Sequence, residues 1–202
     1  RMIALDVETW HDDGKKCWQR AICLTKILGD GAKNRLVEIK TQLLDCLMRG
    51  TPEDGFLTLW LADLILETKI GYGKGADIAA KLEELGIEFE IDGELRRARE
   101  YFDASTKWFR KIKHEGKAWE VTARSAETLA KEAVAQMSAE QPVYSLIASL
   151  YEDAIQKYRS IPGPHRPSHN VDQRIAELHV KMTDASQKSL EQMPVIISPG
   201  VD

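Results

Sequence analysis

Residues 93–113 read GELRRAREYFDASTKWFRKIK, and Leu95, Ala98, Phe102, Ser105, Phe109 and Ile112 recur in that stretch at steps of three and four. This spacing brings side chains to one face of an α-helix, so the stretch predicts an amphipathic helix of roughly six turns. Tyr101 and Trp108 flank its apolar stripe. The same pattern continues in both directions. Trp119, Ala123, Ala126, Ala130, Ala133 and Met137 mark a helix over 116–137 whose face is mostly alanine, which lets a neighbouring helix come close. Val143, Ile147, Leu150, Ala154, Tyr158 and Ile161 mark another over 142–161, and Val171, Ile175, Leu178, Met182 and Ala185 one over 170–190.

Towards the N-terminus, helices are expected near 15–29, 33–49, 53–68 and 74–89, punctuated by Gly29-Asp30-Gly31, Gly50-Thr51-Pro52, Gly71-Tyr72-Gly73 and Ile91-Asp92-Gly93. Thr51-Pro52-Glu53-Asp54 combines a capping hydroxyl, a proline at the first helical position and acids in the first turn. The run Ile87-Glu88-Phe89-Glu90-Ile91 alternates like a strand. About eight helices on short loops predict an all-α fold of antiparallel neighbours, an α-solenoid or an irregular helical bundle. Residues 1–92 and 93–202 are expected to be two halves of one continuous array.

Composition agrees. The 202 residues are 43% hydrophobic and 30% charged, with 13 glycines and 7 prolines. Lys+Arg number 28 and Asp+Glu 32, a formal net charge of −4, which excludes a disordered polyelectrolyte, a collagen-like chain and a globally basic nucleic-acid binder. Cys17, Cys23 and Cys46 form neither a disulfide framework nor a metal-ligand pattern and are read as buried thiols in a reducing, cytoplasmic setting. The apolar run from Phe56 to Leu66 is about half the length of a membrane span and contains Asp63, so it is expected in a core. No secretory start is read, and the terminal residues suggest a piece of a longer chain.

Shifting the chain by fifty residues superposes Tyr101, Asp103, Ala104, Lys107 and Trp108 on Tyr151, Asp153, Ala154, Lys157 and Tyr158, which predicts a repeated helix-pair unit. At these residues the sequence resembles tetratricopeptide-type repeats, with Ala154-Ile155-x-x-Tyr158-x-x-Ile161 similar to the second helix of that motif. It departs from the motif where Arg166 takes the place of the closing proline and where Pro142 and Ser145 stand at the glycine and tyrosine places. The run from Ala98 to Ser198-Pro199-Gly200 also resembles the helical N-terminal region of an uncharacterised bacterial protein family. That family's C-terminal part carries an Arg-Asn-x-x-x-His-Gly, HEPN-like motif. The motif does not occur here, so the resemblance carries over no catalytic residue and implies a recognition or scaffold part.

Candidate chemistry is sparse. Met2-Ile3-Ala4-Leu5-Asp6-Val7-Glu8-Thr9 is similar to the first motif of DEDD 3′–5′ exonucleases, whose two carboxylates hold metal ions, and His169-Asn170-x-Asp172 mimics part of a second. That fold needs a sheet this sequence does not supply. His165, His169 and Asp172 could contribute to a metal site but lack further ligands, and solvated loop histidines are the preferred reading. Gly71-x-Gly73-x-Gly75 is a helix connector, since no strand precedes it and Lys74 is not followed by Ser or Thr.

Lys107, Arg110, Lys111, Lys113 and Lys117, with His114, form a basic cluster interleaved with Trp108 and Phe109. Cations and aromatics in such a pattern can bind single-stranded nucleic acid. Cations also collect at helix C-termini, where the dipole favours them, and that reading is preferred. The cluster is retained as a possible interaction surface. The expectation is therefore a non-catalytic scaffold without cofactor, metal or membrane association. It would bind a protein partner or another region of its own full-length chain. A nucleic-acid-binding helical module is the alternative, and a metal-dependent exonuclease fragment a remote one.

Overall fold

The computed structural model describes residues 41, 44, 45, 47–50, 56–68 and 72–192. The chain divides into two compact units, residues 1–74 and 75–202. Among the described residues every regular element is helical and no strand occurs, so the fold is all-α. The expected helix near 15–29 lies outside the described residues.

In the first unit, helix α1 spans Phe56–Thr68. Leu61, Ala62 and Ile65 are buried and Asp63 is exposed, so the apolar run is the core helix its aspartate implied. A Cβ on Gly50 would come within 2.6 Å of Thr58 Oγ1, which explains a glycine at this close approach. No described helix is long and apolar enough to cross a membrane.

The second unit contains α2 (Gly75–Ile91), α3 (Leu95–Lys111), α4 (Glu115–Met137), α5 (Tyr144–Arg159) and α6 (Val171–Glu191). The strand-like reading of Ile87–Ile91 is corrected. Those residues are the last turns of α2, because Ile78, Leu82, Leu85 and Phe89 set a helical stripe that outweighs the local alternation. The stripe buries Phe89 beside Tyr101, with ring centroids 5.1 Å apart, and leaves Ile91 exposed. The expected division at 92/93 falls inside the packed α2–α3 pair, whereas the boundary between the units lies at Lys74/Gly75.

Within this unit consecutive helices are antiparallel. Gly75 approaches Ile112 and Trp108, Ser105 Oγ donates to Ala79 O at 2.8 Å, and Gly86 abuts the Phe102 ring, so α2 runs up as α3 runs down. Helices α4 and α5 meet through Ala126, Leu129, Ala130 and Ala133 against Ile147, Leu150, Tyr151 and Ala154. Alternate helices are linked by ion pairs. Glu83 and Glu90 of α2 meet Lys117 and Lys131 of α4 at 3.1 and 2.9 Å, and Asp103 of α3 meets Lys157 of α5 at 2.6 Å. Glu127 of α4 meets Arg174 of α6. The unit is thus a two-layer stack, with α2, α4 and α6 in one layer and α3 and α5 in the other.

Candidate interaction groove

Along the α2–α4–α6 layer, helix α4 carries Ala123, Glu127, Ala130 and Val134 at helical spacing, and these line two adjoining concavities of about 360 and 190 Å³. Glu127, Lys131 and Arg174 line both, so they form one groove along α4. The larger part is completed by Glu90 from α2, Tyr158 from α5, and His169 and Asn170 from the turn before α6. Leu178 and Lys181 of α6 line the smaller part. Two alanines on α4 leave room there. Bulkier residues at those positions would fill the space between alternate helices.

At Glu127, which lines both concavities, Tyr158 donates its hydroxyl to Oε2 at 3.0 Å, and Arg174 Nη2 donates to Oε1. Arg174 Nη1 also donates to Glu177 at 2.8 Å. Helices α4, α5 and α6 are thereby joined at one carboxylate. Burial, reinforced by the Glu127 charge and hydrogen bond, pushes the Tyr158 hydroxyl up to about 12. Hydrogen bonds to Glu127 and Glu177 hold the Arg174 guanidinium firmly protonated, its pKa raised above the ordinary arginine value.

The basic cluster lies at the C-terminal end of α3, and the structure splits it. Lys107, Arg110, Lys111 and Lys113 are exposed around the α3–α4 turn, where Lys113 takes a left-handed φ of 60°. Arg110 lies over the Trp119 ring at 4.5 Å. Lys117 turns away to Glu83 and to Glu120, at 3.1 and 2.8 Å. Burial opposes its charge, but the bonds to Glu120 and Glu83 outweigh that and raise its pKa above the usual lysine value. Trp108 and Phe109 are buried, 1% and 4% exposed, so the interleaving seen in the sequence offers no stacking surface beside these cations.

The proline loop holds no convergent ligand set. Asp172 accepts from Arg166 Nη1 at 3.0 Å, and among the described residues no group of three or more His, Cys, Asp or Glu comes together. Asp6 and Glu8 lie outside the described residues, as do Cys17 and Cys23. Arg166, which the sequence marks only as a departure from the repeat motif, has a bracing role that its position in the sequence does not reveal. It stands at the place of a repeat-closing proline, and it donates to Ile161 O at 3.0 Å and Arg159 O at 3.1 Å as well as to Asp172. One guanidinium therefore ties the end of α5 to the start of α6. No protein-family model, curated protein or solved structure matches the chain.

Proposed function

We propose that the chain is a non-catalytic helical scaffold whose α4 groove docks a segment of a protein partner or of another region of its own full-length chain. The observation that carries this reading is the groove itself: an open channel along one helix, floored by small side chains and edged by charged ones from α2 and α6. Stacked helix pairs present continuous surfaces of this kind, which suit extended or helical segments better than small substrates. The matching burial of Tyr101 with Tyr151, Ala104 with Ala154 and Trp108 with Tyr158 supports a repeated unit of the tetratricopeptide sort. A cytoplasmic place fits the three cysteines without a disulfide pattern.

Selection of random displayed peptides on the wild-type chain, with Ala123→Trp and Val134→Trp as counter-targets, tests this. Val134 is half exposed, so the second variant keeps the core untouched. Peptides retained by the wild type and lost on both variants are the expected result. Peptides that bind all three proteins equally, or none at all, would remove the groove from consideration.

A further inference from the structure

We infer that the docked segment is acidic: a peptide whose carboxylates are spaced by small side chains. This rests on the groove being the docking site. Formal charge alone does not indicate it, since Arg124, Lys131 and Arg174 stand against Glu90, Glu120 and Glu127 in the larger concavity. Exposure breaks that symmetry. Glu90 and Glu127 are 13% and 31% exposed, while Arg124 and Lys131 are 40% and 50% exposed.

The lining acids are already tied to protein donors. Glu90 Oε1 accepts from Lys131 Nζ at 2.9 Å and from Thr128 Oγ1 at 3.2 Å, and its Oε2 faces Arg124 at 3.8 Å. Glu127 uses both oxygens on Tyr158 and Arg174. An ammonium carries three N–H donors and a guanidinium five, so the more exposed cations keep donors to spare for an incoming carboxylate. Lys181, exposed on α6, extends the cationic edge into the smaller concavity. Glu120 is the exposed acid of the larger concavity, and Lys117 holds it at 2.8 Å.

A spaced array suits a peptide better than a nucleic acid. A phosphodiester strand carries charge at every nucleotide and binds single-stranded sites largely by stacking its bases. Here the lining rings are Tyr158, which is buried, 3% exposed, with its hydroxyl bound to Glu127, and the half-buried imidazole of His169, too few for a run of stacked bases. The alanine floor accepts small side chains between the carboxylates.

Fluorescence anisotropy with a labelled peptide of alternating Glu and Ala, its Lys–Ala counterpart and a mixed-sequence oligonucleotide distinguishes the possibilities. The acidic peptide is expected to bind, to weaken with added salt, and to lose about tenfold in affinity with Lys181→Glu or Arg124→Gln. Lys111→Glu, which makes the same charge change as Lys181→Glu outside the groove, should leave affinity within about twofold. Equal loss with Lys111→Glu, preference for the Lys–Ala peptide, or tighter binding of the oligonucleotide would each overturn the inference. If the display selection yields groove-dependent peptides that are not acidic, this inference fails and the scaffold reading survives. If it yields no groove-dependent peptide, both fail.

Discussion

Tyr151 and Tyr158 sit two turns apart on one face of α5 and are both buried, yet their hydroxyls have opposite fates. Tyr158 donates to Glu127, whereas the Tyr151 hydroxyl is buried with no hydrogen-bond partner among the described residues. A hydrogen bond to a charged acceptor contributes about 1.5–3 kcal/mol, and an unmet buried donor costs about 1–3 kcal/mol. Tyr158→Phe should therefore lower the unfolding free energy by about 2 kcal/mol, while Tyr151→Phe should be neutral or raise it by about 1 kcal/mol, both read from urea titrations. The pH dependence separates them further. Burial raises both phenols above the usual value, Tyr158 to about 12, with the Glu127 charge adding to it there and Asp184 adding to it at Tyr151. The neutral form is favoured in the folded chain, so the stability tied to Tyr158 is fully present below the ordinary tyrosine pKa of about 10 and is lost as pH rises through about 12. Wild type should lose urea resistance across that window more steeply than Tyr158→Phe. Parallel curves would contradict the assignment.

At the scale of helices, glycine marks where two backbones approach. A Cβ on Gly86 of α2 would fall 2.7 and 2.8 Å from the buried Phe102 ring and 3.3 Å from Ala98 O, whereas one on Gly116 of α4 meets nothing within 4 Å. Gly86→Ala should thus cost about 1–3 kcal/mol by overpacking, and Gly116→Ala should add up to about 1 kcal/mol by restricting the unfolded chain. Thermal unfolding of the two variants gives opposite shifts in Tm if the α2–α3 approach is as close as described; equal shifts would refute it. The helices themselves were legible in the sequence because Leu95, Ala98, Phe102 and Phe109 repeat at helical spacing, and α3 follows from that alone. Ile87–Ile91 was ambiguous because a short alternation carries both periods, and the longer stripe from Ile78 to Phe89, with Phe89 buried beside Tyr101, resolves it. The groove was not legible. Its charged residues, Glu90, Arg124, Lys131 and Arg174, come from three helices of one layer, and a periodicity read within each helix says nothing of which alternate helices meet. Lys107 to Lys117 stood out as a run in sequence, yet Lys117 leaves that cluster because its partner, Glu83, lies on another helix.

Over the second unit as a whole, packing is sequential: α2 on α3, α3 on α4, α4 on α5, α5 on α6, with alternate helices joined mainly by side-chain pairs. Stability in such a stack is close to a sum of neighbour terms, so it need not be lost all at once. Helix α3 is packed on both sides by chain neighbours, whereas among the described residues α6 packs extensively only on α5 and touches α4 through Arg174 and Glu127. Helix α6 is also less deeply buried, with Val171, Leu178 and Ala185 as its buried residues and Val180 and Leu190 exposed at 71% and 68%. The brace that holds its start is Arg166, which reaches Arg159 O, Ile161 O and Asp172 together. Native-state hydrogen exchange should therefore show α6 opening at lower free energy than α3. Arg166→Ala should remove about 1–3 kcal/mol of protection from α6 while leaving α3 and the first turns of α4 unchanged, because the lost bonds lie wholly at the α5–α6 junction. A uniform loss of protection across α2 to α6 would mean that the unit unfolds as a single cooperative body, and the sequential account would be wrong.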